Sequence, residues 1–288
     1  MCRLFGFRSS IPSVVHPSLV TEKNSLLQQS REHKDGWGIA AYGLGDSPSV
    51  AHGLGPAHCD PDFERVSSRV SSRTVVAHIR LASVGSVERC NAHPFTHGRW
   101  CFVHNGTLKN FALNQRAIEG LIREDLRARI QGATDSERCF YLFLTRLAEQ
   151  GQCLVGQACV EKVARALAQT MELVSAITDM PGQDRSSMNF LVTNGDVMVA
   201  SRRNRTLFLS HTAPEPGADT TLAAEPPRPG MRLQQFVLAS EQLSGEDHWH
   251  AVGEDEIIGV DHQLVLHQWK VRELYAPPAL AHDSHAAP

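Results

Sequence analysis

Cys2 follows the first methionine directly, in Met1-Cys2-Arg3-Leu4-Phe5-Gly6-Phe7. Once Met1 is removed, this residue carries a thiol and a free α-amine, so a nucleophile and a base arrive together without a histidine partner. The thiol titrates at about 8.5 and the amine at about 8, so proton transfer between them costs on the order of a kcal/mol. A cysteine here also reads as an ordinary small packing residue. The choice rests on what accompanies it.

Five further segments hold residues suited to acyl chemistry: Lys34-Asp35-Gly36-Trp37-Gly38, His78-Ile79-Arg80-Leu81-Ala82-Ser83, Asn91-Ala92-His93-Pro94-Phe95, His104-Asn105-Gly106 and Thr134-Asp135-Ser136-Glu137. Attack on a carboxamide creates an oxyanion, which a side-chain amide and a glycine N–H can hold together, as Asn105 and Gly106 could. Asn-Gly by itself also reads as a turn. A glutamyl group presents an α-carboxylate and an α-ammonium. Arg80 offers a bidentate fork for the first, and Asp135 an acceptor for the second. Taken singly, Arg80 reads equally as a surface salt bridge and Asp135 as a helix cap.

In this order, with Cys2 in front, the segments resemble the class II (N-terminal nucleophile) glutamine amidotransferases, most of all their short stand-alone members. The resemblance runs from Cys2 to about Val252. It implies Cys2 as nucleophile, its α-amine as base, Asn105 and Gly106 as the oxyanion hole, and Arg80, Asp135, Ser83 and His93 as substrate-binding residues. His93 would shape the substrate loop, and His104 would orient the Asn105 turn. Ala239-Ser240-Glu241-Gln242-Leu243 also resembles the stand-alone members, including those that cleave γ-glutamyl conjugates, although Gln242 stands where proline is usual. The implied reaction is attack on the γ-carboxamide of glutamine or a γ-glutamyl compound, through a thioester, releasing ammonia or an amine and then glutamate. The alternatives are a dedicated hydrolase of γ-glutamyl peptides or thiol conjugates, and a non-catalytic protein that binds a glutamyl ligand.

The elements that must position these residues follow from periodicity. Cys2 to Arg8 reads as a buried strand, Leu19 to Gln29 as helical, and Gly36 to Tyr42 as a glycine-flanked strand with Trp37 in the core near the site. Thr74 to Arg80 is a β-branched, apolar strand with Arg80 at its exit, and Trp100 to His104 is a short strand ending in an Asn105-Gly106 turn. Helices are predicted over Asn114–Arg129, Ser136–Glu149 with a Thr134 or Asp135 cap, and Gln157–Thr178. Strands are predicted over Asn189–Thr193, Val197–Ser201, Thr206–Ser210, Arg232–Ala239 and Gln263–Val271. Strands, then helices, then strands again indicate an α+β layered architecture. The family resemblance implies a four-layer αββα sandwich of the N-terminal-nucleophile hydrolase type. A single domain over residues 2–275 is expected, with a surface loop at 213–230 and a disordered tail at 276–288.

The chain has 288 residues and a net charge of -3, with Lys and Arg scattered, which argues against a nucleic-acid scaffold and points to a small-molecule substrate. No secretory signal or membrane-crossing stretch is visible, so a cytoplasmic location is expected. The seven cysteines are irregularly spaced and read as reduced thiols. Fifteen histidines invite a metal hypothesis, but no His-Glu-x-x-His or Cys-x-x-Cys pair occurs. No dinucleotide or phosphate loop is complete, so no metal and no cofactor is expected. No second catalytic domain is expected after Val271. A separate ammonia-accepting enzyme is therefore one candidate partner, and self-association as a homodimer stays open.

Overall fold

The computed structural model describes residues 2–45, 47–212, 226–245 and 248–275. It opens with β1 (Arg3–Val14), a π-type turn at Pro17–Thr21, α1 (Leu26–Gln29), β2 (Trp37–Ala41), β3 (Ser49–Gly53), α2 (Pro61–Ser67) and β4 (Ser71–Ile79). The middle holds β5 (Phe95–His97), β6 (Trp100–Thr107), α3 (Phe111–Gly120), α4 (Glu124–Arg127), α5 (Asp135–Glu149) and α6 (Val160–Thr178). The remainder is β7 (Ser187–Thr193), β8 (Met198–Arg202), β9 (Phe208–Thr212), β10 (Gln235–Ala239), β11 (His250–Ala251), β12 (Glu256–Val260), β13 (Leu266–Lys270) and α7 (Val271–Leu274).

Two antiparallel sheets result, one ordered β11-β9-β10-β1-β4-β2-β3 and the other β13-β12-β8-β7-β6-β5. Successive side chains on a strand point to opposite faces, which is why the central strands are apolar almost throughout. On β1, Leu4 joins Val76, Val103, Leu191 and Met198 between the sheets. Phe5 and Phe7 turn outward, onto Leu19, Leu26 and Phe63. The second sheet sends Phe102, Phe190 and Val192 out against Phe140, Leu144 and Leu167 of α5 and α6. The layers are thus helix, sheet, sheet and helix, the α+β sandwich expected, with one helical layer built only from short pieces.

Several boundaries differ from expectation. β1 continues to Val14, and the predicted Leu19–Gln29 helix is instead the turn at Pro17–Thr21 followed by α1, which begins only after the Ser25 cap. The predicted Asn114–Arg129 helix is α3 and α4, separated at residues 121–123. Periodicity overlooked β3, β5 and β12, the first and second of which are short edge strands. Asn105-Gly106 is not a turn, because β6 runs through both residues and pairs them with Asn189 and Met188. Of the expected loop, residues 213–225 lie outside the described residues, as does the expected tail at 276–288.

Candidate active site

Register brings the first candidate residues together. Arg3 pairs with Ile79, so Cys2 and Arg80 leave neighbouring strands at the same end of the sheet. The Leu81 N–H lies 3.5 Å from Cys2 Sγ. Cys2 is buried, and desolvation pushes its thiol up, partly offset by that backbone contact. The buried sulfur therefore holds its proton at neutral pH.

Arg80 is only 3 % exposed, so it is not the surface ion pair that its isolated sequence allowed. Its guanidinium donates to the carbonyls of Ser86 at 2.9 Å, Val84 at 3.1 Å and Gly85 at 3.3 Å. These bonds fix its plane and curl residues 84–86 around it. Asp135, at the first turn of α5, is equally buried. Its Oδ2 accepts from Leu108 N and its Oδ1 from Ser136 N, each at 2.8 Å. The helix cap is Thr134, whose hydroxyl accepts from Glu137 N, which leaves the Asp135 carboxylate for other work. Among the described residues neither Arg80 nor Asp135 forms an ion pair. Both charges nonetheless act on the Cys2 thiol, Arg80 lowering and Asp135 raising it.

Asn105 Nδ2 donates to Ser240 Oγ at 3.0 Å, and the same hydroxyl accepts from Leu4 N at 3.0 Å. Ser240 therefore ties the amide of β6 to the strand that carries Cys2. One N–H of the amide and the buried Oδ1 remain without a partner. Gly106 is required by close approach, since a Cβ there would come within 2.0 Å of Ser187 O. Ser83 Oγ meets Thr107 Oγ1 at 2.9 Å, joining the Arg80 loop to the end of β6.

Behind this group is a layer of buried imidazoles. His104 Nε2 donates to Ser187 O at 2.9 Å, which leaves Nδ1 to accept from the Ser136 hydroxyl at 2.9 Å. With both nitrogens occupied, His104 fastens β6 to β7 and to α5. His93 is placed differently from the other candidates. Its ring lies 4.2 Å from that of His78, centroid to centroid, with the planes tilted by 30°, meets Phe95 edge-on, and has no hydrogen bond from either nitrogen among the described residues. Burial holds its protonated form well out of reach at neutral pH, and pushes His78 down to about 3. Gly38 accommodates this layer, because a Cβ there would meet His93 O at 2.0 Å. Trp37 lies in the outer core against Phe63, with its indole N–H donated to Asp60. Among the described residues no group of three or more His, Cys, Asp or Glu is arranged to hold a metal ion.

Residues 1–267 match the family model for class II glutamine amidotransferases. The chain belongs to this family. It is 27 % identical over 96 % of its length, and 86 % of the relative's, to the Saccharomyces cerevisiae protein named "Probable glutamine amidotransferase DUG3". It is 32 % identical, over 39 % of its length and 52 % of the relative's, to the gamma-glutamyl-hercynylcysteine sulfoxide hydrolase of Mycobacterium tuberculosis. A solved glutamine aminotransferase class-II domain protein from Silicibacter pomeroyi shares the fold at TM-score 0.61 and 19 % identity, covering 96 % of this chain and all of that one. As an amidotransferase-family enzyme, the protein brings Cys2, Arg80, Asn105, Gly106, Asp135 and Ser83 to one end of the sandwich, with His93 packed behind them. Sequence reasoning assigned no role to Ser240 or Ser136, although both lay in segments already singled out. A serine carries little signal until its partners are known, and Ser240 lies 135 residues from Asn105 in the chain.

Proposed function

We propose that this class II glutamine amidotransferase hydrolyses a γ-glutamyl amide with Cys2 as nucleophile. One observation carries the reading: a buried cation and a buried anion, Arg80 and Asp135, both act on the buried thiol, and among the described residues each is held by neutral hydrogen-bond partners and forms no ion pair. An unpaired buried charge is costly, and the α-carboxylate and α-ammonium of a glutamyl group supply the missing partner for each. The remaining Arg80 N–H groups take the carboxylate and Asp135 takes the ammonium.

The γ-carbonyl carbon then faces Cys2 Sγ. With Met1 removed, the α-amine of Cys2 accepts the thiol proton as sulfur attacks, and the tetrahedral oxyanion is held by Asn105 Nδ2 and the Gly106 N–H. Collapse expels ammonia or an amine, which takes the proton from the α-ammonium. Water activated by the same amine hydrolyses the thioester to glutamate and restores the thiol. No cofactor enters these steps. The test is glutamate release from glutamine by protein whose mass shows Met1 removed. A Cys2→Ala variant is expected to lose at least a thousand-fold in kcat while retaining its circular dichroism spectrum. Full activity in that variant, or in protein that keeps Met1, would overturn the mechanism.

Whether the expelled nitrogen serves an acceptor enzyme is a separate question. We favour a self-sufficient hydrolase, because the relatives include one that is named as a hydrolase of a γ-glutamyl conjugate. Glutamate release at full rate without any acceptor protein supports this; stimulation only by a partner supports the glutaminase subunit. Ligand binding without turnover by Met1-processed protein would instead indicate a glutamyl-binding protein.

A further inference from the structure

Beyond the glutamyl half of the site, the same end of the sandwich carries a polar cavity of about 400 Å³ lined by Lys109, Asp184, Arg185, Ser187, Asn204 and Arg205. Its position follows from strand order. Arg80 leaves β4, and Asp135 binds the segment that follows β6, so the glutamyl α-groups belong at the β4 and β6 side. From there the first sheet continues through β1 to β10, and the facing sheet through β7 to β8. That path leads past Cys2, Asn105 and Ser240 to the turn between β8 and β9, where Asn204 and Arg205 sit.

The cavity is tied to the reacting group by named contacts. Ser187 pairs with Thr107, and its carbonyl accepts from His104 beneath the Asn105-Gly106 pair. Thr206, next to Arg205, donates its hydroxyl to Glu241 Oε1 and accepts through its carbonyl from Asn189 Nδ2, while Glu241 pairs with Arg3 at 3.3 Å. Asn189 in turn stands opposite Asn105. Arg205 also lies close enough to His104 to disfavour its protonated form.

The charge in the cavity is unbalanced. Three cations line it against one acid, Asp184, which is largely exposed and lies 3.6 Å from Lys109 Nζ. Among the described residues Arg185 pairs with Asp255, at 3.5 Å. Arg205 forms no ion pair among the described residues. Its Nη1 bonds to the neighbouring Asn204 carbonyl, and its Nε is buried without a partner. Desolvation lowers its affinity for its proton, and no acid offsets this. Such a set of donors fits a carboxylate, which takes bidentate bonds from a guanidinium and a point charge from an ammonium.

We propose that Lys109, Arg185 and Arg205 form the subsite for the amine half of the substrate and select γ-glutamyl amides whose amine bears a carboxylate, as in a γ-glutamyl peptide. The inference rests on the hydrolase reading above. It names the substrate class through the charge of the group expelled.

The test compares γ-glutamylglycine with γ-glutamylglycinamide, a neutral molecule of nearly the same shape, using the full Met1-processed chain. The wild type is expected to favour the carboxylate by at least about ten-fold in kcat/KM, and 0.5 M NaCl should narrow that ratio because the cavity is open to screening. Arg205→Gln should bring the ratio to within about three-fold, and Arg205→Lys should restore part of it. Equal kcat/KM values in the wild type, or a ratio untouched by both salt and Arg205→Gln, overturns the subsite. If glutamine is hydrolysed but neither dipeptide is, the subsite falls and the hydrolase reading survives. If glutamine too yields no glutamate, the hydrolase reading fails and the subsite goes with it.

Discussion

Asn105 and Asp135 are both buried polar residues, but they should fail differently when altered. Asn105 has one amide N–H fixed on Ser240, and in the proposed mechanism its second N–H meets the developing oxyanion. Its replacement removes stabilisation that matters most in the transition state. Asn105→Ala is expected to lower kcat by about a hundred- to a thousand-fold with little change in KM. In the same proposal Asp135 meets a charge that is already present in the bound substrate. Asp135→Asn should raise the KM for glutamine and lower kcat/KM by about ten- to a hundred-fold, the scale of one hydrogen bond to a charged group. Steady-state kinetics on both variants separate the two roles, and an equal effect of both on KM alone would count against the oxyanion assignment. The residue types were legible from the chain. That Arg80 is curled into its own loop by three carbonyls was not, because those bonds are made by backbone that any sequence would supply.

At the level of elements, the start of α5 matters most. Thr134 caps the helix by accepting from Glu137 N, and the Glu137 carboxylate accepts from Gln131 N and Gly132 N at 2.8 Å each. Together these bonds hold the first turn and, with it, Asp135. Thr134→Ala is expected to cost about 1 kcal/mol in urea unfolding and to raise the KM for glutamine, while Thr134→Ser should restore both. A stability loss with unchanged KM would mean that Asp135 is held without the cap. The cap was foreseen as Thr134 or Asp135 because both residues favour that position. Only the fold chose between them, by giving Asp135 the Leu108 N–H on a neighbouring segment. Boundaries were less legible where tertiary contacts override periodicity. α1 is a single turn, packed under the first sheet, and β6 extends through Asn105-Gly106 because β7 lies alongside to pair with it.

For the whole molecule, the buried imidazole layer links stability to pH. His78 titrates at about 3 when folded and at about 6.5 when unfolded, so below 6.5 the unfolded chain binds a proton that the folded one does not. Stability should therefore be fully present above pH 6.5 and fall by about 1.4 kcal/mol per pH unit for this group down to about pH 3. His93 adds a shift in the same direction. Urea midpoints at pH 7.5 and 5.5 are expected to be clearly lower at the acid value; equal midpoints would show that the layer admits a proton while folded. Among the described residues no helix is long and apolar enough to cross a membrane. The chain by itself determined the α+β class and, through its ordered motifs, the family, and it supplied Cys2, Arg80, Asn105, Gly106 and Asp135 as candidates, since residue identity and periodicities a few residues long are local. Tertiary structure decided that Arg80 and Asp135 are buried near one thiol without an ion pair among the described residues, that Ser240 couples Asn105 to β1, and that His93 packs behind the site. Those facts depend on strand register and on pairings between distant segments, where a shift of one residue would exchange the two faces of a strand and scatter the site.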